Sequence, residues 1–232
     1  MLNELVKELE KLYSKERAEG SKRFFKTGKG EYGEGDVFLG LKNSESRFFS
    51  KKYKDLSLSQ VQKLLNSKIH EHKLIAGLIL VHKFKKSPEE IFNFYMKNSK
   101  KFNNWDLVDS TAPKVPGKFL LDKKKNRNIL HNLSHSKNLW EKRIAIVSTH
   151  PFIKNGEFAD TLKISENLLG DSHDLIHKAV GWMLREVGKK DVEVLKDFLK
   201  INYKELPRTT LRYAIERFPE KERKMFLAGE FK

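Results

Sequence analysis

The chain has 232 residues, 38% hydrophobic and 34% charged, with 47 Lys and Arg against 31 Asp and Glu, and it has no cysteine. That is enough apolar material for one large domain or a repeat array, and the lack of cysteine excludes disulfides, thiolate metal sites and a cysteine nucleophile. The net charge of +16 points to a polyanionic partner, nucleic acid ahead of an anionic membrane surface.

Leu2, Leu5, Leu9 and Leu12 recur at helical spacing and predict an opening amphipathic helix. Acids among them argue against a secretory or transit peptide, and no apolar run approaches the ~18 residues of a membrane span, so the expected location is cytoplasmic. Gly28–Gly40, GKGEYGEGDVFLG, predicts a loop. It is either a flexible connector or a segment whose glycines allow unusual backbone angles or close approach to a partner. Ser57 is placed to cap a helix running to about Asn66. Ser87-Pro88-Glu89-Glu90 predicts a further start, with a capping serine, proline at the first helical position and an acid three residues on. Pro207 and Pro219 are expected to open the last two helices. No long alternating pattern predicts a strand, so the chain reads as all-α.

Four segments share a pattern of a basic residue followed by apolar or small ones, beginning at Lys73, Arg143, Lys178 and Arg212. The spacings are 70, 35 and 34 residues, and the missing step falls at Val108. A period of about 35 has room for two helices and their turns, which predicts a solenoid of stacked helix pairs forming a single domain over 1–232. With the basic position as zero, Trp105 stands at minus three, Asp109 at plus one, Arg143 at zero and Trp182 at plus four. These offsets share one helix face, so two tryptophans, a carboxylate and an arginine are expected on one surface. The adjacent Asp106 is assigned to a different face and set aside.

Lys73, Arg143, Lys178 and Arg212 form a basic ladder, with Arg185 one turn beyond Trp182. From Lys114 through Arg143 there are nine basic residues and two acidic ones, densest in Lys123-Lys124-Lys125-Asn126-Arg127. Such clusters suit contacts to phosphates. His131/His135 and His173/His177 have i, i+4 spacing, but no acidic partner has metal-site spacing and no HExxH is present, so no metal or other cofactor is expected. Walker and GxSxG motifs are lacking, and the glycines of 28–40 follow no strand.

RFFKTGKGEYGEGDVFLG (23–40), NNWDLVDSTAP (103–113), LWEKRIAIVSTHPFI (139–153), DLIHKAVGWMLREVGKKD (174–191) and RTTLRYAIERFP (208–219) span the chain almost end to end. Together they resemble the bacterial DNA alkylation repair glycosylases with HEAT-like repeats, the AlkD-like family. The resemblance implies helix pairs stacked into a curved superhelix around duplex DNA. It also implies hydrolysis of the N-glycosidic bond of cationic N3- and N7-alkylated purines, acting from the backbone side without enclosing the base. By the same resemblance Asp109 matches the catalytic carboxylate, Trp105 and Trp182 the aromatics cradling the lesion's backbone, and Arg143 an arginine near the phosphates. Phe24 or Phe25 stands where some members carry a DNA-contacting tyrosine, and Lys42–Ser46 lacks the proline often found after this loop. The expected partner is double-stranded DNA containing alkylated bases, bound by a monomer. Two alternatives stand beside this reading: a non-catalytic alkylated-DNA-binding repeat protein, and a protein-binding helical scaffold, against which the charge argues.

Overall fold

A computed structural model describes residues 1–230, and its regular structure is helical apart from an isolated bridge. The chain clusters into two compact units, residues 1–115 and the part from Pro116 onward, where the sequence predicts one domain. A repeat array has no shared central core, since each helix pair contacts only its neighbours, and it can cluster in parts.

The first unit holds α1 (Leu2–Glu10), α2 (Lys15–Phe24), α3 (Asn43–Lys52), α4 (Leu58–Leu65), α5 (His70–Lys83), α6 (Pro88–Lys97) and α7 (Trp105–Thr111). The opening leucines behave as predicted, with Leu5 and Leu9 fully buried. Ser57 caps α4 reciprocally: its hydroxyl accepts from the Gln60 N–H, and the Gln60 side chain accepts from the Ser57 N–H. At α6 the start is as predicted, but the Ser87 side chain makes no cap hydrogen bond. The fixed φ of Pro88 and the acids Glu89 and Glu90 near the positive helix end carry that start instead.

Helix α5 is the centre of this unit. Every residue from His70 to Leu80 is buried, and α3, α4, α6 and α7 all pack on it. A helix covered on all sides has no solvated polar face: α5 is apolar all round from Leu74 to Val81, and the four polar side chains of its first turn, His70–Lys73, are buried as well. Gly77 lets α7 come close: a Cβ there would lie 2.8 Å from Cγ2 of Thr111.

The 28–40 segment is tied down rather than flexible. The buried Glu71 carboxylate accepts from the backbone N–H groups of Leu39, Gly40 and Leu41 at 2.8–3.2 Å. Val37 forms a parallel bridge to Ile69 at the start of α5. Gly40 adopts φ +79°, and a Cβ there would lie 2.7 Å from both the Ala18 nitrogen and the Ser14 oxygen, so no other residue fits without strain.

The second unit comprises α8 (Pro116–Asp122), α9 (Asn128–Ser134), α10 (Leu139–Val147), α11 (His150–Lys154), α12 (Ala159–Leu168), α13 (Asp174–Gly188), α14 (Val192–Asn202), α15 (Arg208–Ala214) and α16 (Glu220–Ala228). Pro207 and Pro219 stand immediately before α15 and α16, as the sequence predicts. Here α13 is central, with α10, α12, α14 and α15 packed on it. Long central helices flanked by shorter partners recur in both units, and the fold is an all-α helical repeat. No helix among the described residues is long and apolar enough to cross a membrane.

Candidate active site

A cleft of about 330 Å³ opens in the first unit between α2, α5 and α7. One wall is aromatic, with Phe24, Phe25, Phe38 and Trp105; the polar side carries His70, Asp106, Asp109 and Ser110. Phe25 is the hinge of the wall. Its ring stacks on Phe38 at 5.2 Å between centroids and on Trp105 at 5.5 Å, and Phe24 meets Trp105 edge-on at 5.8 Å. Phe24 is 63% exposed at the edge of this wall, where its ring is open to contact with a ligand.

Trp105 opens α7, and Asp109 follows one turn later, so both side chains reach the cleft from the same helix face. The helix has only seven residues and is pinned at both ends. At its start Asp106 Oδ2 lies 2.8 Å from His70 Nε2. At its end the Thr111 hydroxyl donates to the Leu107 carbonyl and accepts, at 2.9 Å, from the hydroxyl of the fully buried Tyr95. Burial pushes the Tyr95 hydroxyl well above its usual value, which keeps it a donor.

Beneath the cleft runs a buried chain of charges. The Lys73 ammonium donates to Asp36 Oδ1 at 2.8 Å and to Asn103 Oδ1 at 2.9 Å, and Asn103 Nδ2 donates to Asp36 Oδ1 at 3.0 Å. The other Asp36 oxygen lies 3.6 Å from His70 Nδ1, an ion-pair distance too long for a hydrogen bond. His70 thus sits between two carboxylates. Burial alone would push its pKa down, but the hydrogen bond to Asp106 and the charges of Asp106 and Asp36 outweigh that and raise it to about 9. At neutral pH it is an imidazolium. The Asp36 pKa is shifted the other way, downward: its burial works against the charged form, but His70, Lys73 and Asn103 outweigh that.

These positions correct two expectations. Asp106 lines the same cleft as Asp109, because it stands three residues before it, a spacing that shares a helix face. Lys73, expected to contact DNA, is 8% exposed with its charge engaged on Asp36 and Asn103. The sequence reading missed His70, Asp36, Asn103 and Phe38, and named Phe25 only as an alternative to Phe24. A signal for His70 existed: relative to Lys73 it stands at minus three, the offset that Trp105 has relative to Val108.

The second unit carries the remaining sequence-predicted residues. Arg143, on α10, is buried and donates to the Leu175 carbonyl. Trp182, on α13, is half-buried with its ring 6.0 Å from that of His150. Lys178 pairs with Asp174 at 2.7 Å, and Arg185 pairs with Glu216. Arg212 is exposed and makes no ion pair among the described residues. Within the dense basic run, Lys123, Lys124 and Lys125 are exposed. Arg127 turns inward onto Glu157 and Asp160, with its guanidinium 4.0 Å from the Phe152 ring centroid. Among the described residues no group of three His, Asp or Glu side chains is arranged to hold a metal ion.

The model of the DNA alkylation repair enzymes matches residues 5–218. The chain belongs to this family. Among solved structures, this family member is similar to a "Predicted DNA alkylation repair enzyme from Enterococcus faecalis", with TM-score 0.74 and 19% identity over 90% of this chain and 97% of that one, which establishes the likeness of fold. No curated protein matches. The matched residues include α7 and the residues lining the cleft.

Proposed function

We propose that this repair enzyme is a DNA glycosylase that hydrolyses the N-glycosidic bond of cationic N3- and N7-alkylated purines in duplex DNA. The observation that carries the reading is the first-unit cleft, where Asp109 and Trp105 project from one pinned helix beside an aromatic wall.

The chemistry needs what this cleft contains. Alkylation makes the purine a cationic leaving group, so the bond breaks without a strong general acid. The C1′–N bond electrons leave with the neutral base, and positive charge develops on the sugar as in glycoside hydrolysis. In this reading the Asp109 carboxylate stabilises that cation and orients water. The water oxygen then bonds to C1′, and its proton passes to Asp109 and on to solvent. The face of Trp105 attracts the cationic sugar, contributing about 0.5–2 kcal/mol. A departing group that needs no protonation also needs no metal or redox cofactor. Lys178, Arg185 and Arg212 act on the phosphates, exposed Phe24 packs on the sugar–phosphate edge, and Arg143, buried on the Leu175 carbonyl, supports that face from within. Lys73 has an internal role. The protein acts as a monomer in the cytoplasm, where damaged DNA is met.

The test is release of 7-methylguanine and 3-methyladenine from methylated duplex DNA, comparing the wild type with Asp109→Asn. Release that disappears in the variant while DNA binding persists is the expected result. No release from the wild type, despite tight binding to the same duplex, overturns the glycosylase reading in favour of a non-catalytic binder.

A further inference from the structure

We propose that His70 is a positioning residue for base release, holding Asp106 and α7 so that Asp109 acts alone on the developing sugar cation. The inference rests on the glycosylase reading of the cleft.

Asp106 and Asp109 lie three residues apart on one short helix, and both line the cleft. Two carboxylates in one cleft repel each other and compete for the same cationic centre. His70 removes the competition, since its Nε2 holds Asp106 Oδ2 at 2.8 Å. Its other nitrogen faces Asp36 of the 28–40 segment, which Lys73 holds in turn. The charged groups acting on the imidazole are thus Asp36 from the loop and Asp106 from α7, with Asp109 lining the same cleft. Glu71 and Lys73 lie on its own helix, the first spent on loop N–H groups and the second on Asp36. A second route runs through the rings. The His70 imidazole packs at 4.7 Å between centroids on both Phe25 and Phe38, and Phe25 stacks on Trp105. One side chain therefore touches supports of both Asp109 and Trp105. Loss of the imidazolium leaves Asp106 as a half-buried anion without its partner at the start of the helix that carries them.

The experiment measures single-turnover base release, affinity for undamaged duplex and thermal stability for the wild type, His70→Gln, Asp106→Asn and the His70→Gln/Asp106→Asn double variant. His70→Gln is expected to slow release at least tenfold, a loss in keeping with small misplacements of reacting groups, with duplex affinity within about twofold of wild type. The double variant, which removes the stranded charge, is expected to recover most of the rate. Wild-type release from His70→Gln, or equal losses in the single and double variants, overturns the inference while leaving the glycosylase reading intact. Failure of the wild type itself to release base sinks the reading on which it rests. Should His70→Gln not fold, wild-type release followed between pH 7 and 10, corrected for spontaneous loss, keeps the question open to decision. The rate must fall with the His70 proton, read by NMR of the imidazole, and a rate that ignores that titration overturns the inference.

Discussion

At the scale of single residues, the positive charges of this chain divide into those that hold the protein together and those that face outward. Lys73 and Arg127 belong to the first group, each bonded to carboxylates and largely removed from water. Breaking a buried pair strands the other partner, so Lys73→Met is expected to cost about 3 kcal/mol in urea unfolding. A loss under 1 kcal/mol would mean that water already screens Asp36. His70 adds a pH dependence of its own. Its pKa rises from 6.5 to about 9 on folding, so the folded state holds the proton more tightly than the unfolded chain. That contribution, about 3 kcal/mol by linkage, is complete below pH ~6.5 and lost as the pH climbs through 9. Asp36 behaves oppositely, since its pKa is lowered: its contribution is present above the unfolded value of 3.8 and lost as the pH falls below it. Urea midpoints at pH 6, 8 and 9.5 are expected to fall steadily in the wild type and much less in His70→Gln. Parallel curves for the two proteins would show that the alkaline loss arises elsewhere.

At the scale of elements, helix starts were legible and tertiary ties were not. Ser57, Pro88, Pro207 and Pro219 act within a few residues of themselves, so their signals survive in one dimension. Trp105 and Asp109 were legible for the same reason, since one turn of helix separates them. The contact of Asp36 with His70 joins positions 34 residues apart through a loop whose path only folding supplies. The glycine-rich segment shows the limit clearly. Its composition permits either a flexible connector or a fixed one, and the deciding group, the Glu71 carboxylate, lies 30 to 32 residues away. Replacing it tests whether that anchor alone orders the loop. Glu71→Ala leaves the buried N–H groups of Leu39 and Gly40 without acceptors, at a cost of about 1–3 kcal/mol for each group. Amide hydrogen exchange across residues 37–41 is expected to accelerate strongly, with exchange in α13 unchanged. Protection that persists in the variant would assign the loop's order to the Val37–Ile69 bridge instead.

For the whole molecule, the sequence predicted a helical repeat and a uniform basic ladder, and the two fared differently. The repeat period arises from helix lengths and apolar spacing, which the backbone must obey. The ladder assumed that equal register gives equal exposure, yet the zero positions run from nearly buried Lys73 and Arg143 to exposed Arg212. Packing sets exposure, and it differs from one helix pair to the next. A charge already neutralised inside the protein releases no counterions when DNA arrives; an exposed, unpaired one does. The slope of log affinity against log salt separates the two classes. Arg212→Ala is expected to reduce the magnitude of that slope by about 1 on undamaged duplex, and Lys73→Met to leave it unchanged even where stability suffers. Lys178→Ala should fall between them, because Asp174 already offsets part of its charge. An equal loss of slope for Lys73 and Arg212 would mean that the buried pair opens on DNA, and the internal charge chain would then be part of the binding surface.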